Sequence, residues 1–272
     1  MFSVHINKTS HQSSSSECGM YSLYFLIREI EDNPIGDDEM ISDKIVEDMR
    51  SVYFRPHVCS LKSTTSETTP CSPNYKGDKI CFTKDVLGDM IERWNSQSDE
   101  SERIVYDRTM SKYGLWKQLR SKLNRQPWCL IDDPMFHDMN LEEFFGPPQP
   151  YKNGLNTWLS ETDINKVMRQ YEKAYPGFLF LGTTPIDFEV IGNAVANFDL
   201  STKNIVNGTI KRIGIVFNTD PHDRGGTHWF SMFIDVPTKT IKVFDSTGNE
   251  PPNEIHDLIE KLQNQTRKKQ KK

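Results

Sequence analysis

HWFSMFIDVPTKTIKVFDS, residues 228–246, holds two strand-like runs, HWFSMFID at 228–235 and IKVFD at 241–245, on either side of the turn-forming VPTKT. Both are rich in aromatic and β-branched residues, and the short link between them predicts an antiparallel hairpin. Working outward, RIGIVFN at 212–218 and FLFLG at 178–182 read as two further strands. TWLSETDINKVMRQYEKA at 157–174 reads as a helix with a Ser or Thr cap and acidic residues in its first turn. Ile255, Leu258, Ile259 and Leu262 mark an amphipathic helix over 252–264. At the other end of the chain, FSVHIN at 2–7 alternates like a strand, and the serine-rich HQSSSSE leads into the apolar run CGMYSLYFLIREI, a buried helix that opens at Cys18. These elements predict an α+β fold with a central antiparallel sheet packed on helices.

A cysteine that opens an apolar helix sits at the positive end of the helix dipole, which favours thiolate over thiol and so makes Cys18 a candidate nucleophile. Such a nucleophile needs a base, and His228, at the start of a strand and next to the bulky Trp229, is the candidate. The base needs a partner that fixes its tautomer. Asp245 ends the second strand of the hairpin, and the matched strand lengths bring it back beside His228. The oxyanion of a tetrahedral intermediate needs a neutral, fixed donor. Gln12 fits, because the four serines that follow can turn its amide back towards the N–H of Cys18.

Each residue also has an ordinary reading. Cys18 could be a small core residue, His228 a satisfied strand-end histidine, Asp245 the first residue of the turn DSTGN and Gln12 a loop residue. It is their coincidence that points to chemistry. His11, His222 and His256 are rival bases and Asp235 a rival acid, all less well placed on the hairpin. Trp94, Trp116, Trp128 and Trp158 read as core anchors. His57, Cys59, Cys71 and Cys81 lack the spacing of zinc ligands, so neither a metal nor another cofactor is expected.

The 272 residues divide by composition into a first core part at 1–56, a linker and helical arm at 57–153, a second core part at 154–264 and the basic tail 265–272. Residues 57–75 are rich in Ser, Thr, Pro and Lys, and helices are expected at 40–49, 83–95 and 114–124. With 33 basic and 38 acidic residues the net charge of −5 argues against nucleic acid or an anionic membrane as partner. MFSVHINKTS has no secretory pattern and no apolar run reaches membrane length, so a protein of a reducing compartment, with thiol cysteines, is expected.

HQSSSSECGMYSLYF at 11–25, with its Gln-x5-Cys-Gly spacing, and HWFSMFIDVPTKTIKVFDS together resemble the two signatures of the adenain and SUMO-protease superfamily of cysteine proteases. WLSETDI at 158–164 is similar to that family's entry helix, and the likeness extends to the polyprotein-processing proteases of large cytoplasmic DNA viruses. The resemblance covers roughly 1–56 and 154–264, and more loosely a helical arm at 70–130. It implies a papain-like core, a thioester acyl-enzyme on Cys18, and cleavage after Gly-Gly-type motifs in a groove narrowed by Trp229. It also implies a polypeptide substrate, either a viral polyprotein or a ubiquitin-like conjugate, and work in the host cytoplasm and virion. In the family His and Asp precede Gln and Cys, whereas here Gln12 and Cys18 come first, so the chain resembles a circular permutant. Acyl transfer on the same kind of core and an inactive Gly-Gly-tail binder are the alternative readings.

Overall fold

The computed structural model describes residues 1–36, 39–56, 70–75, 80–107, 109–150 and 157–267, arranged in two compact units, Met1–Met49 with Pro150–Lys272 and Arg50–Gln149. The predicted division at 153/154, most of the Ser/Thr-rich stretch near residue 65, His57, Cys59 and the end of the basic tail lie outside the described residues.

In chain order the elements are β1 (Ser3–Ile6), α1 (Cys18–Ile30), α2 (Asp43–Tyr53), α3 (Lys84–Gln97), α4 (Lys112–Leu123), α5 (Glu161–Ala174), β2 (Phe178–Pro185), α6 (Phe188–Ile191), α7 (Lys203–Val206), β3 (Arg212–Asn218), β4 (Trp229–Asp235), β5 (Thr240–Phe244) and α8 (Asn253–Arg267). The first unit is built on a five-stranded sheet in the order β1-β5-β4-β3-β2. Its middle is antiparallel, as the hairpin predicts: Arg212 pairs with Asp235 through to Asn218 with Trp229, and Ser231 pairs with Phe244 through to Asp235 with Thr240. Both edges are parallel, β1 on β5 and β2 on β3.

Alternation along the strands divides the side chains between two faces. Phe230, Met232 and Ile234 of β4, with Ile213, Ile215 and Phe217 of β3, form a core with Ile255, Leu258 and Leu262 of α8. On α1 every residue except Arg28 is buried, which is why this helix is apolar all round and not striped. Phe25 of α1 stacks on Phe244 of β5 with ring centroids 4.8 Å apart. The outer edge of β2 is sealed by α5: Asn165 accepts from the Thr183 N–H, Glu172 from the Phe180 N–H, and Arg169 donates to the Phe180 carbonyl. Those side chains occupy backbone groups that would otherwise invite another strand.

The second unit packs α3 and α4 around Phe82, Leu87, Met90, Ile91, Leu115, Trp116 and Leu119. Gly146 passes so close to the chain at Tyr53 that a Cβ there would lie 2.5 Å from the Tyr53 carbonyl oxygen. The expectation of thiol cysteines is corrected in this unit. Cys71 and Cys81 form a disulfide with Cα atoms 5.1 Å apart, and Cys129 is disulfide-bonded as well. Spacing in sequence carries no signal for such a bond, because a disulfide requires only that two Cα atoms meet in space. Two of the sulfurs weighed as zinc ligands are thereby committed to each other.

Candidate active site

The register of the hairpin builds one wall of the site. With Ser231 opposite Phe244, the residues just beyond the ladder, His228 and Asp245, fall at the same end, and His228 Nε2 donates to Asp245 Oδ1 at 2.8 Å. Asp245 Oδ1 also accepts from the Thr247 N–H at 2.8 Å and the Thr247 hydroxyl at 2.7 Å, so the carboxylate is held from two sides. Nε2 is spent on Asp245, which leaves Nδ1 to serve the Cys18 thiol, a group near enough to raise the histidine's pKa.

The other wall is the start of α1. Cys18 is the first residue of the helix, 1% exposed, and the free cysteine among the described residues. Helices α3, α4 and α5 are capped by the side chains of Thr83, Ser111 and Ser160, but α1 has no side-chain cap bond and no acid in its first turn. Its backbone donors are therefore left for a ligand or a reacting group. Burial works to lower the pKa of His228, but the bonds to Asp245 and Cys18 outweigh it and raise it from 6.5 to about 9. Burial likewise opposes the ionisation of Asp245, and its bonds from His228 and Thr247 overcome this and bring its pKa below the ordinary carboxylate value. At neutral pH the site holds an imidazolium between a carboxylate and a sulfur.

Gln12 lies in the loop before Cys18. Its Nε2 donates to the Ser14 carbonyl at 2.5 Å and its Oε1 accepts from the Ser246 hydroxyl at 2.7 Å. The loop is clasped from below by Asp43, which accepts from the N–H groups of Ser13 and Ser14 and from the Tyr21 hydroxyl. Sequence reading singled out neither Asp43 nor Ser246; both lie far from Gln12 in the chain, and only the fold brings them to it.

Beside the pair runs a groove of about 690 Å³ lined by Trp158, Leu159, Asn218, Gly226 and Trp229, among others. Trp229 is 8% exposed and its indole N–H donates to the Leu159 carbonyl at 2.9 Å, so the ring is fixed. Trp158 corrects the reading of core anchor: it is 41% exposed and forms groove wall. Gly226 has φ +76°, a backbone conformation that favours glycine, and a Cβ there would also lie 2.5 Å from the Asn218 side-chain Nδ2 at the groove's edge.

The rivals are accounted for. His11 is buried, stacks on Phe244 at 5.3 Å and accepts at Nδ1 from the Ile41 N–H; burial pushes its pKa down. His222 pairs with Asp187 at the surface, and His256 is exposed on α8. Asp235 stands beside Arg212, 3.6 Å away. Among the described residues no cluster of three or more His, Cys, Asp or Glu side chains is placed to hold a metal.

An α+β core whose central helix presents a thiol to a histidine on the sheet defines the class of papain-like cysteine hydrolases. Comparison with known proteins narrows the class. The model of the Ulp1 protease family, C-terminal catalytic domain, matches residues 201–272. A protein of Acanthamoeba polyphaga mimivirus named as a thiol protease is 33% identical over 215 residues, which cover 71% of this chain and 70% of that one. A cysteine protease of African swine fever virus is 24% identical over 223 residues, 75% of each chain, and one from a Kenyan pig isolate, named a SUMO-1 cysteine protease, is 28% identical over the same length. The crystal structure of the African swine fever virus protease has a TM-score of 0.47 and 17% identity, covering 75% of this chain and 74% of that one. The chain belongs to the Ulp1-like family of cysteine proteases, in the branch found in large DNA viruses.

Proposed function

We propose that the protein is an endopeptidase that cleaves after Gly-Gly-type motifs, with Cys18 as nucleophile, His228 as the proton carrier, Asp245 as the group that orients it and Gln12 as an oxyanion donor. The observation that carries this reading is the hydrogen bond from His228 to Asp245, with Cys18 at the uncapped start of α1 acting on the same imidazole. The sulfur attacks the scissile carbonyl, and the oxyanion is met by the Cys18 N–H and by the hydrogen of Gln12 Nε2 not used by Ser14. The imidazolium then gives its proton to the departing amine. Water, with the same histidine as base, releases the thioester. Trp229, held against Leu159, and Trp158 narrow the approach to the site, which favours residues without side chains next to the scissile bond.

On the family relationship the substrate is a viral polyprotein, and the host cytoplasm and virion are where it is met; a ubiquitin-like conjugate is the second candidate. No helix among the described residues is long and apolar enough to cross a membrane. The permuted order of motifs belongs to the same reading. It is supported by β1 lying parallel to β5 and by Gln263 of α8 donating to the Phe2 carbonyl at 3.1 Å, so that β5, α8 and β1 have the geometry of one β-α-β unit.

The test is a peptide probe ending in Gly-Gly and an electrophile, followed by mapping of the adduct. It should modify Cys18, and Cys18→Ala should lose both adduct and hydrolysis with the fold intact. Cleavage that persists in Cys18→Ala would overturn the assignment. Comparing a Gly-Gly-containing polyprotein fragment with a ubiquitin-like conjugate as substrates separates the two substrate readings.

A further inference from the structure

The carboxamide of Gln12 has a donor end and an acceptor end, and only one of its two flips can serve an oxyanion. The Ser14 carbonyl decides which, and Ser246 holds the other end. The Ser14 carbonyl can only accept, so Nε2 must face it, and Oε1 is then left towards the Ser246 hydroxyl, which donates to it at 2.7 Å. Ser246 is 1% exposed, and its own carbonyl accepts from the N–H groups of His11 at 2.8 Å and Gln12 at 2.9 Å. Two hydrogen bonds with Ser246 therefore fix the backbone and the side chain of Gln12, and a third holds the neighbouring His11 N–H. Ser246 is also the direct neighbour of Asp245, whose carboxylate fixes His228.

We infer that Ser246 is a positioning residue for the oxyanion donor, acting on catalysis through Gln12 and not through the nucleophile or base. Resting on the reading of Gln12 given above, this makes the Asp245-Ser246 dipeptide a single structural piece that orients the proton carrier with one residue and the oxyanion donor with the next. Without the hydroxyl, the Oε1 end of the carboxamide loses its anchor, only the Ser14 carbonyl still holds the group, and the second Nε2 hydrogen is no longer fixed towards the developing negative charge. Such a loss falls on the transition state and leaves ground-state binding nearly unchanged.

The experiment uses the full chain and a fluorogenic peptide amide ending in Gly-Gly. Ser246→Ala is expected to lower kcat about tenfold, a fraction of the effect of losing an oxyanion donor outright, with KM little changed. In the Gln12→Ala background the same substitution should have no further effect, because the group it orients is gone. Alkylation of Cys18 by iodoacetamide forms no oxyanion, and its rate should be the same in Ser246→Ala as in the parent protein. Ser246→Thr keeps the hydroxyl and should keep most of kcat; Ser246→Gly, which also lacks it, stands in if the alanine variant does not fold. Equal losses in the presence and absence of Gln12, or slowed alkylation, would show that Ser246 acts on the fold or on His228 and would overturn the inference. An unchanged kcat in Gln12→Ala would instead remove the role assigned to Gln12 itself.

Discussion

At the scale of single residues, the site depends on opposing effects at His228. Burial alone would strip the proton from the ring, and the Asp245 carboxylate with the Cys18 sulfur retains it up to about pH 9. A raised pKa means that the proton is present below that value and lost as pH rises through it. The sequence of steps therefore predicts that kcat/KM falls on the alkaline side with an apparent pKa near 9. Asp245→Asn removes the charge that holds the imidazolium, so the alkaline limb should move to lower pH in that variant, along with a loss of rate. A pH-rate profile of the two proteins checks this, and a limb that does not move would separate Asp245 from the titration of His228.

At the scale of elements, what could be read in the sequence was what repeats locally. RIGIVFN corresponds to β3 residue for residue, and the apolar run from Cys18 to Ile30 is α1, because strand and helix periods are properties of neighbouring residues. The single-turn helices α6 and α7 are too short to show a period. The parallel pairing of Ser3 with Thr240 joins residues from opposite ends of the chain, and no local pattern announces it. The four candidate site residues were legible as types at particular spacings. Their supports, Ser246 and Asp43, and the exposure of Trp158 were not, because each is defined by a contact distant in sequence. The same holds at Gly146, an inconspicuous glycine in a Pro-rich stretch whose backbone meets that of Tyr53. Gly146→Ala should destabilise the protein by roughly 1–3 kcal/mol, since the atom it meets is backbone and cannot rotate away. Calorimetric unfolding measures it, and an unchanged profile would mean that the two segments can part without cost.

At the scale of the whole molecule, the proposed permutation makes the order of the motifs a matter of connectivity and not of architecture, and the contact between Gln263 and Phe2 supports it. Linking α8 to β1 through a short flexible segment and opening the chain in the Ser/Thr-rich stretch near residue 65 should yield a protease with the order His, Asp, Gln, Cys and activity within about tenfold of the parent. Loop closure varies slowly with loop length, and packing holds the site residues in place. A folded but inactive product in that assay would count against the permutation. The cysteines carry a different consequence, one for handling and storage. As the proposed nucleophile, Cys18 must remain a thiol, while Cys71 and Cys81 are joined. A strong reductant that protects the first attacks the second, and an oxidant that preserves the second consumes the first. Preparations of this enzyme should therefore keep longest in a mild thiol buffer, and their shelf life should be shorter at either redox extreme than in between.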